Sequence, residues 1–397
     1  MKKELNQLMM QRYKYFLLGI SLLIVGITFL ETKSNLSLWQ ETRTELNSKK
    51  AENSFYKELK SKDAYPNGKM VVLYDEREGK PELETNDFSE YKKARLEVFH
   101  DNPHFVSGFS DYVGESIFII TLMAVVSGFV LFFYDNKTNF NTMLFSSKYR
   151  RRDIYLTKYK IVGGTLLLTL LVAKVARILS FVLFIPSEYL NTNFFELLPS
   201  QLLQISLLGV VFMVSSFAGI LLGEWVTGII TIFGFWYMFH SFAVGIFSIY
   251  STLTDRVFSY PFLELTFFFN LSKRNTLPVF IYLGLFIVVS AILFIWGMKL
   301  YDQLSLENNG KYLMFDFLRK PIQLVFLVYL FVVATGPGLI DAIKIYVTGV
   351  SPYGDYHPSV LQNLITTTIA LSIGYLISVI AIYRKNPFTF IKKKEVL

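Results

Sequence analysis

The sequence predicts an all-α polytopic membrane protein, with about eight transmembrane helices and a mixed α/β extracellular insertion between the first and the second. Three observations carry that reading. Of its 397 residues 52% are hydrophobic, 17% aromatic and only 18% charged, which is too apolar for an ordinary soluble domain. Eight apolar runs approach the roughly 20 residues that a hydrocarbon core about 30 Å thick requires at helical rise. Their length and continuity exclude a β-barrel, whose strands are about ten residues long and alternate. In lipid such runs must then be helices, since each backbone polar group has to be satisfied within its own segment.

The runs are Tyr15–Leu30, Ser116–Tyr134, Ile161–Ile185, Gln201–Gly223, Val226–Tyr250, Pro278–Leu300, Pro321–Ile340 and Val360–Tyr383. The first follows a basic start, "MKKELNQLMMQRYKY", but it is long enough to span. The "TFLETKSN" that closes it offers no small-x-small cleavage pattern, so residues 1–30 read as a retained anchor. Residues 31–115 form the one sizeable polar part, with 13 Lys and Arg against 17 Asp and Glu. Within it "LWQETRTELNSKKAENSFYKELKSKD" has the spacing of an amphipathic helix, and "YPNG" breaks it. "KMVVLY" reads as a strand and "SEYKKARLEVFHDNP" as a second helix ended by Pro103. With so few apolar residues, this insertion is expected to pack on the membrane part or on a partner copy.

Residues 116–300 carry the second to sixth spans, and between the second and third of all lies a basic loop, 135–160. "GEWVTG" turns the fourth span tightly into the fifth. The aromatic block Phe262–Phe269, in the next connection, is expected at the membrane interface. A loop at 301–320, two further spans within 321–383 and a basic tail at 384–397 complete the chain. Lys and Arg flank the spans unevenly, twenty on one face against Arg256, Lys273, Arg274 and Lys344 in the three short loops of the other; the long segment 31–115 translocates largely regardless of charge. The positive-inside rule places both termini and the basic loop in the cytoplasm, and residues 31–115 outside. The net charge of +8 is therefore a topology signal, and no nucleic acid is expected as a partner.

The chain has no cysteine, which removes disulfides, thiol catalysis and Cys metal sites. It has no Walker phosphate loop, no HExxH helix and no GxSxG elbow, so no enzymatic activity, catalytic residue or bound cofactor of its own is expected. His100 and His104 stand four apart in "HDNPH", but Pro103 interrupts that turn and no carboxylates complete a metal site. Lys174 and Arg177 stand three apart on one face of the third span, in its outer half. They either reach to the headgroups or to Glu188 or Glu196, or they line a path for an anionic or amphipathic substrate. Glu224 either ends a helix or faces a cytoplasmic partner. Asp341, Lys344 and Asp355 read as solvated loop charges.

The densest basic stretch is "NFNTMLFSSKYRRRDIYLTKYK". Phe140, Met143, Leu144, Ile154, Leu156 and Tyr159 interleave with its bases, as in a helix lying at the membrane surface and bending into the third span. Ser146 and Ser147 make a polar break between two helical pieces, hence an elbow. This stretch resembles the first cytoplasmic loop of the type 2 family of ABC transporter permeases. "YDQLSLENNGKYLMFDFLRKP", Tyr301 to Pro321, is similar to the cytoplasmic connection of a bacterial subgroup that includes the acetoin-utilisation type permeases. The order of anchor, large outer insertion, second span, basic elbow and bundle is also similar over about the first 300 residues. The chain departs from the family's six-span unit by its seventh and eighth spans.

The resemblance implies a permease subunit in a bacterial cell membrane, exporting a hydrophobic or amphipathic compound. It implies a second permease copy or a related chain as partner. It also implies cytoplasmic ATPase subunits that carry ATP and Mg. The elbow would be the coupling helix, with Phe145, Ser146, Ser147, Lys148, Tyr149, Arg150, Arg151 and Arg152 at the ATPase and Glu224 secondary. The residue-level alternative for the loop is a basic patch on anionic lipid. The alternative for the whole chain is a non-transporting membrane sensor or scaffold with an extracellular sensing segment.

Overall fold

The computed structural model describes residues 2–60, 68–75, 80–98, 117–138, 140–190, 194–254, 277–349 and 359–383. Among them, seven helices are long and apolar enough to cross a membrane. They lie at Lys3–Leu46, Phe118–Lys137, Arg151–Phe184, Leu197–Leu221, Phe280–Asp302, Asp316–Thr335 and Val360–Tyr383. The chain is accordingly a mostly helical candidate multi-pass membrane protein with one small two-stranded sheet. The expected run at 226–250 falls on a helix, Trp225–Thr254, whose described apolar stretch, Trp225–Phe239, is shorter than a span.

In chain order the elements are α1 (Lys2–Leu46), α2 (Lys49–Leu59), β1 (Met70–Asp75), β2 (Lys80–Thr85), α3 (Phe88–Leu96), α4 (Ile117–Lys137), α5 (Phe140–Phe145) and α6 (Arg151–Lys158). A π-helical turn, Tyr159–Gly163, joins α6 to α7 (Gly164–Phe184). Then come α8 (Ser187–Leu190), α9 (Phe194–Leu221), α10 (Trp225–Thr254), α11 (Leu277–Asp302) and α12 (Arg319–Thr335). A second π-helical turn, Gly336–Ile340, leads to α13 (Asp341–Thr348), and α14 (Val360–Tyr383) follows. The helices divide between two compact units. One holds α1 to α3, the sheet, the start of α4, α7, α8, α9 as far as Phe212, and α11 as far as Ile292. The other holds the rest of α4, α5, α6 as far as Leu156, the rest of α9, α10, and the chain from Leu293 onward.

In the first unit α1 does not stop where its apolar run does, at Leu30. It continues through "ETKSNLSLWQETRTEL" to Leu46, so the amphipathic helix expected at 38–63 is in part an extension of the helix that carries the first apolar run. The break comes at Ser48, whose Oγ accepts from the Ala51 N–H at 3.2 Å and caps α2. β1 stands where "KMVVLY" predicts it and pairs antiparallel with β2, a strand whose "KPELET" pattern does not announce itself. Asp87 caps α3 by accepting from the Ser89 N–H at 2.9 Å. The helix ends at Leu96, seven residues ahead of the expected stop. Pro103, His100, His104 and the block 262–269 lie outside the described residues.

The insertion shares part of its core with the apolar helices. Trp39 and Leu46 of α1, Leu96 of α3 and Val98 just past it form one buried cluster with Ile178 and Phe181 of α7, Ile185, Leu190 of α8 and Leu197 of α9. Trp39 Nε1 donates to the Leu96 carbonyl at 2.9 Å, and the Val98 N–H donates to the Tyr189 carbonyl at 3.0 Å. Part of the segment thus packs on apolar helices, while Phe55, Met70, Val72 and Ala94 are buried as well and Phe55 packs on Phe88 and Tyr91 of α3.

In the second unit helices approach closely where the sequence supplies glycine. A Cβ at Gly219 of α9 would stand 2.6 Å from the Phe129 carbonyl oxygen of α4, so only glycine permits that approach. Further along, residues 341–348 are helical, where the sequence reading places a loop with solvated charges. Ala342 and Ile345 are buried there, and Asp355 lies outside the described residues.

Candidate functional site

The elbow exists as a break in the helical path. α5 ends because its two serines take its last carbonyls: Ser146 Oγ donates to the Met143 carbonyl at 3.0 Å and Ser147 Oγ to the Leu144 carbonyl at 2.5 Å. The helical ladder resumes at Arg151 and continues unbroken to Phe184, easing through the π turn where the sequence reading expects a bend.

The eight elbow residues divide into two sets. Ser146, Lys148, Arg150 and Arg152 are exposed, while Phe145, Ser147, Tyr149 and Arg151 are half-buried. Arg151 is a brace: its Nη1 donates to the carbonyls of Asp302 and Leu304, each at 2.8 Å, and its guanidinium lies 4.4 Å from the Phe145 ring centroid. Those carbonyls lie at and just past the C-terminus of α11, where carbonyls lack helical partners and a cation is favoured. One turn on, Tyr155 is buried and donates its hydroxyl to the Phe294 carbonyl at 2.8 Å. Tyr301 packs edge-on against Phe145 at 5.5 Å and donates to Asn141 Oδ1 at 3.1 Å; Asn141 in turn donates to Asn136 Oδ1.

The turn between α9 and α10 is strapped to the segment that follows α11. The Gly223 N–H donates to the Tyr312 carbonyl at 2.9 Å, the Gly310 N–H to the Gly223 carbonyl at 3.1 Å, and the Met314 N–H to the Leu221 carbonyl at 2.8 Å. Lys137, the last residue of α4, donates to the Gly223 carbonyl and to Asn309 Oδ1, the latter at 3.2 Å. Asn309 Nδ2 reaches the Asn136 carbonyl at 2.9 Å. A Cβ at Gly223 would meet the Lys311 carbonyl oxygen at 2.5 Å. Tyr312 shares a 2.9 Å hydrogen bond with Thr231. Burial pushes its phenol above the ordinary value, and the bond to Thr231 opposes part of that. Glu224 has a local task in this turn: its carboxylate accepts from the Thr227 N–H at 3.2 Å and from the Thr227 hydroxyl, capping α10. The sequence reading missed the strap. The available signals were the turn-forming "NNG" at 308–310 and the amides at 136 and 141.

Lys174 and Arg177 lie in the first unit, at 2% and 1% exposure, on the same face of α7 as Ile178 and Phe181. The Arg177 guanidinium stands 5.9 Å from the Phe181 ring centroid. Protein covers both cations, and Glu188 is exposed; the side chain of Glu196 lies outside the described residues. Two polar residues that the sequence reading passed over, Gln201 and Gln204 of α9, are also fully buried. Among the described residues no group of three or more His, Asp or Glu gathers as metal ligands. No protein-family model, curated protein or solved structure matches the chain.

Proposed function

We propose that this chain is the membrane permease subunit of an ATP-binding cassette transporter, exporting a hydrophobic or amphipathic compound with energy from a separate cytoplasmic ATPase. On this reading α10 serves as an eighth span, both termini are cytoplasmic and the insertion is extracellular. A second permease copy or a related chain completes the path. The observation that carries the proposal is the division of the elbow. A lever must be stiff on one side and accessible on the other, since a partner shifts an equilibrium only through differential contacts with the two states. Arg151 and Tyr155 brace the elbow on backbone carbonyls of α11 and the residues just after it. Ser146, Lys148, Arg150 and Arg152 stay open to a partner. A loop serving only as an anchor on anionic lipid would need the charges but not the bracing.

The test uses the full chain purified in detergent with whatever ATP-hydrolysing subunit accompanies it. Wild type is compared with Arg150→Glu combined with Arg152→Glu, leaving Arg151 intact. The expected result is an ATPase that copurifies with the wild type and is lost from, or no longer coupled to, a variant with an unchanged melting curve. Absence of an ATPase from both preparations would remove the permease reading. The sensor or scaffold reading would then lead, supported by the shared core that ties the insertion to α7. Such a sensor binds its extracellular ligand with no ATP dependence.

A further inference from the structure

Several buried polar groups of the first unit lie at one level, and the cations and amide N–H groups among them are complementary to an anion. Helices α7 and α9 are joined by a short connection and meet at both ends. Ile178 and Phe181 share a core with Leu197 at one end, and the Tyr159 and Phe212 rings lie 5.9 Å apart at the other. The pair is therefore antiparallel. One helical turn in from Leu197 stand Gln201 and then Gln204, and one turn in from Ile178 and Phe181 stand Lys174 and Arg177, so the four reach the same level. Helix α1 runs parallel to α7. Ser21 and Thr169 hydrogen-bond at 3.0 Å, and Trp39 joins the core that holds Phe181, so Thr28 and Glu31 come to the level of Arg177.

At that level the amide nitrogen and oxygen of both Gln201 and Gln204 lack hydrogen-bond partners among the described residues, as does the Thr28 hydroxyl, and all three side chains are buried. Unpartnered polar groups between apolar helices are costly, because no surrounding water can satisfy them. Among the described residues the charged groups there are two cations, Lys174 and Arg177, and one carboxylate, Glu31. From these groups we propose that α1, α7 and α9 form an intramembrane site for an oxyanion carried on an apolar body. The ligand class is an amphipath with a phosphate-type headgroup. Lys174 and Arg177 neutralise the headgroup, while the Gln201 and Gln204 amides donate to its oxygens. This inference rests on the export reading, and it names the substrate class of the path through Lys174 and Arg177. The groups are covered by protein in this arrangement, so loading requires the helices to part.

The experiment is native mass spectrometry of the delipidated full chain, which involves no ATPase. Failure here therefore leaves the coupling proposal standing, whereas failed copurification removes the transport role and leaves only the headgroup binding measured here, so the two failures are distinguishable. The probes are palmitoyl-oleoyl phosphatidylglycerol and phosphatidylcholine with the same chains. The wild type is expected to retain the first over the second, and a large excess of inorganic phosphate is expected not to displace it. Gln201→Leu combined with Gln204→Leu removes the unpartnered amides without creating new ones, and should fold. Retention in that variant is expected to fall by about tenfold or more, the scale of lost hydrogen bonds to a charged group. Equal retention of the two lipids, undiminished retention in the Leu variant, or displacement by inorganic phosphate would each overturn the proposal.

Discussion

Two sets of positive charge in this chain look alike on paper and meet opposite surroundings. At 148–152 three of the four cations are exposed, whereas Lys174 and Arg177 are buried within the first unit. Helical register explains the burial of Lys174 and Arg177 and the difference between Arg151 and Arg152, while Lys148 and Arg150 lie in the break between helices. Arg177 falls on the stripe of Leu166, Leu170, Ala173, Ile178 and Phe181, so the packing that buries them buries it too. Arg151 is the exception in the elbow for the same reason. It lies three and four residues before Ile154 and Tyr155, both fully buried, and so turns inward, while Arg152 shares a face with the exposed Leu156. A cation's task follows from the face it occupies.

That contrast can be broken by reversing charge on each side of it. The largest effect is expected for Arg177→Glu, which places a carboxylate in a buried site near Glu31. A loss of about 3–5 kcal/mol is the scale for an uncompensated buried charge, read as a strong fall in the denaturation midpoint in detergent. A midpoint equal to wild type would show that this face of α7 is open. Next comes Arg151→Leu, which removes the donor to the Asp302 and Leu304 carbonyls; a loss of about 2–3 kcal/mol is expected. Arg152→Leu serves as its control, with a change within about 0.5 kcal/mol for an exposed position. If the two variants melt alike, the brace has no energetic content. The smallest effect concerns the strap. Tyr312 is held above its ordinary pKa, so the neutral phenol is the form that folding favours. Its contribution is complete below the unfolded value of about 10 and disappears as pH rises through the higher folded value. A denaturation series across that alkaline window should show a small extra decline in wild type that Tyr312→Phe lacks.

Apolar length was the legible part of this fold. The run Val360–Tyr383 coincides with α14, and the run 278–300 lies inside α11, because lipid imposes a minimum length that no polar interruption obscures. The polar continuation of α1 to Leu46 carries no such signal, and its packing against α7 decides it. The elbow's position was readable from Ser146 and Ser147, but not its division into brace and tip, which depends on carbonyls about 150 residues away in sequence. The strap was hidden for the same reason, since Lys137 and Asn136 find their partners 86 to 173 residues later. Nor do the glycines declare themselves: Gly164 has nothing within 4 Å of a built Cβ, while Gly219 admits no side chain at all.

The strap also imposes an order on assembly during synthesis. The turn at Gly223 and the end of α4 emerge from the ribosome long before residues 309–314, yet their N–H, carbonyl and ammonium partners lie in that later segment. Until it arrives, the nascent protein carries an unfinished knot at one end of its helices, open to water and to chaperones. A chain stalled or truncated ahead of Asn309 would keep that end open permanently, so completion of this segment marks the point at which the second unit can close and escape surveillance.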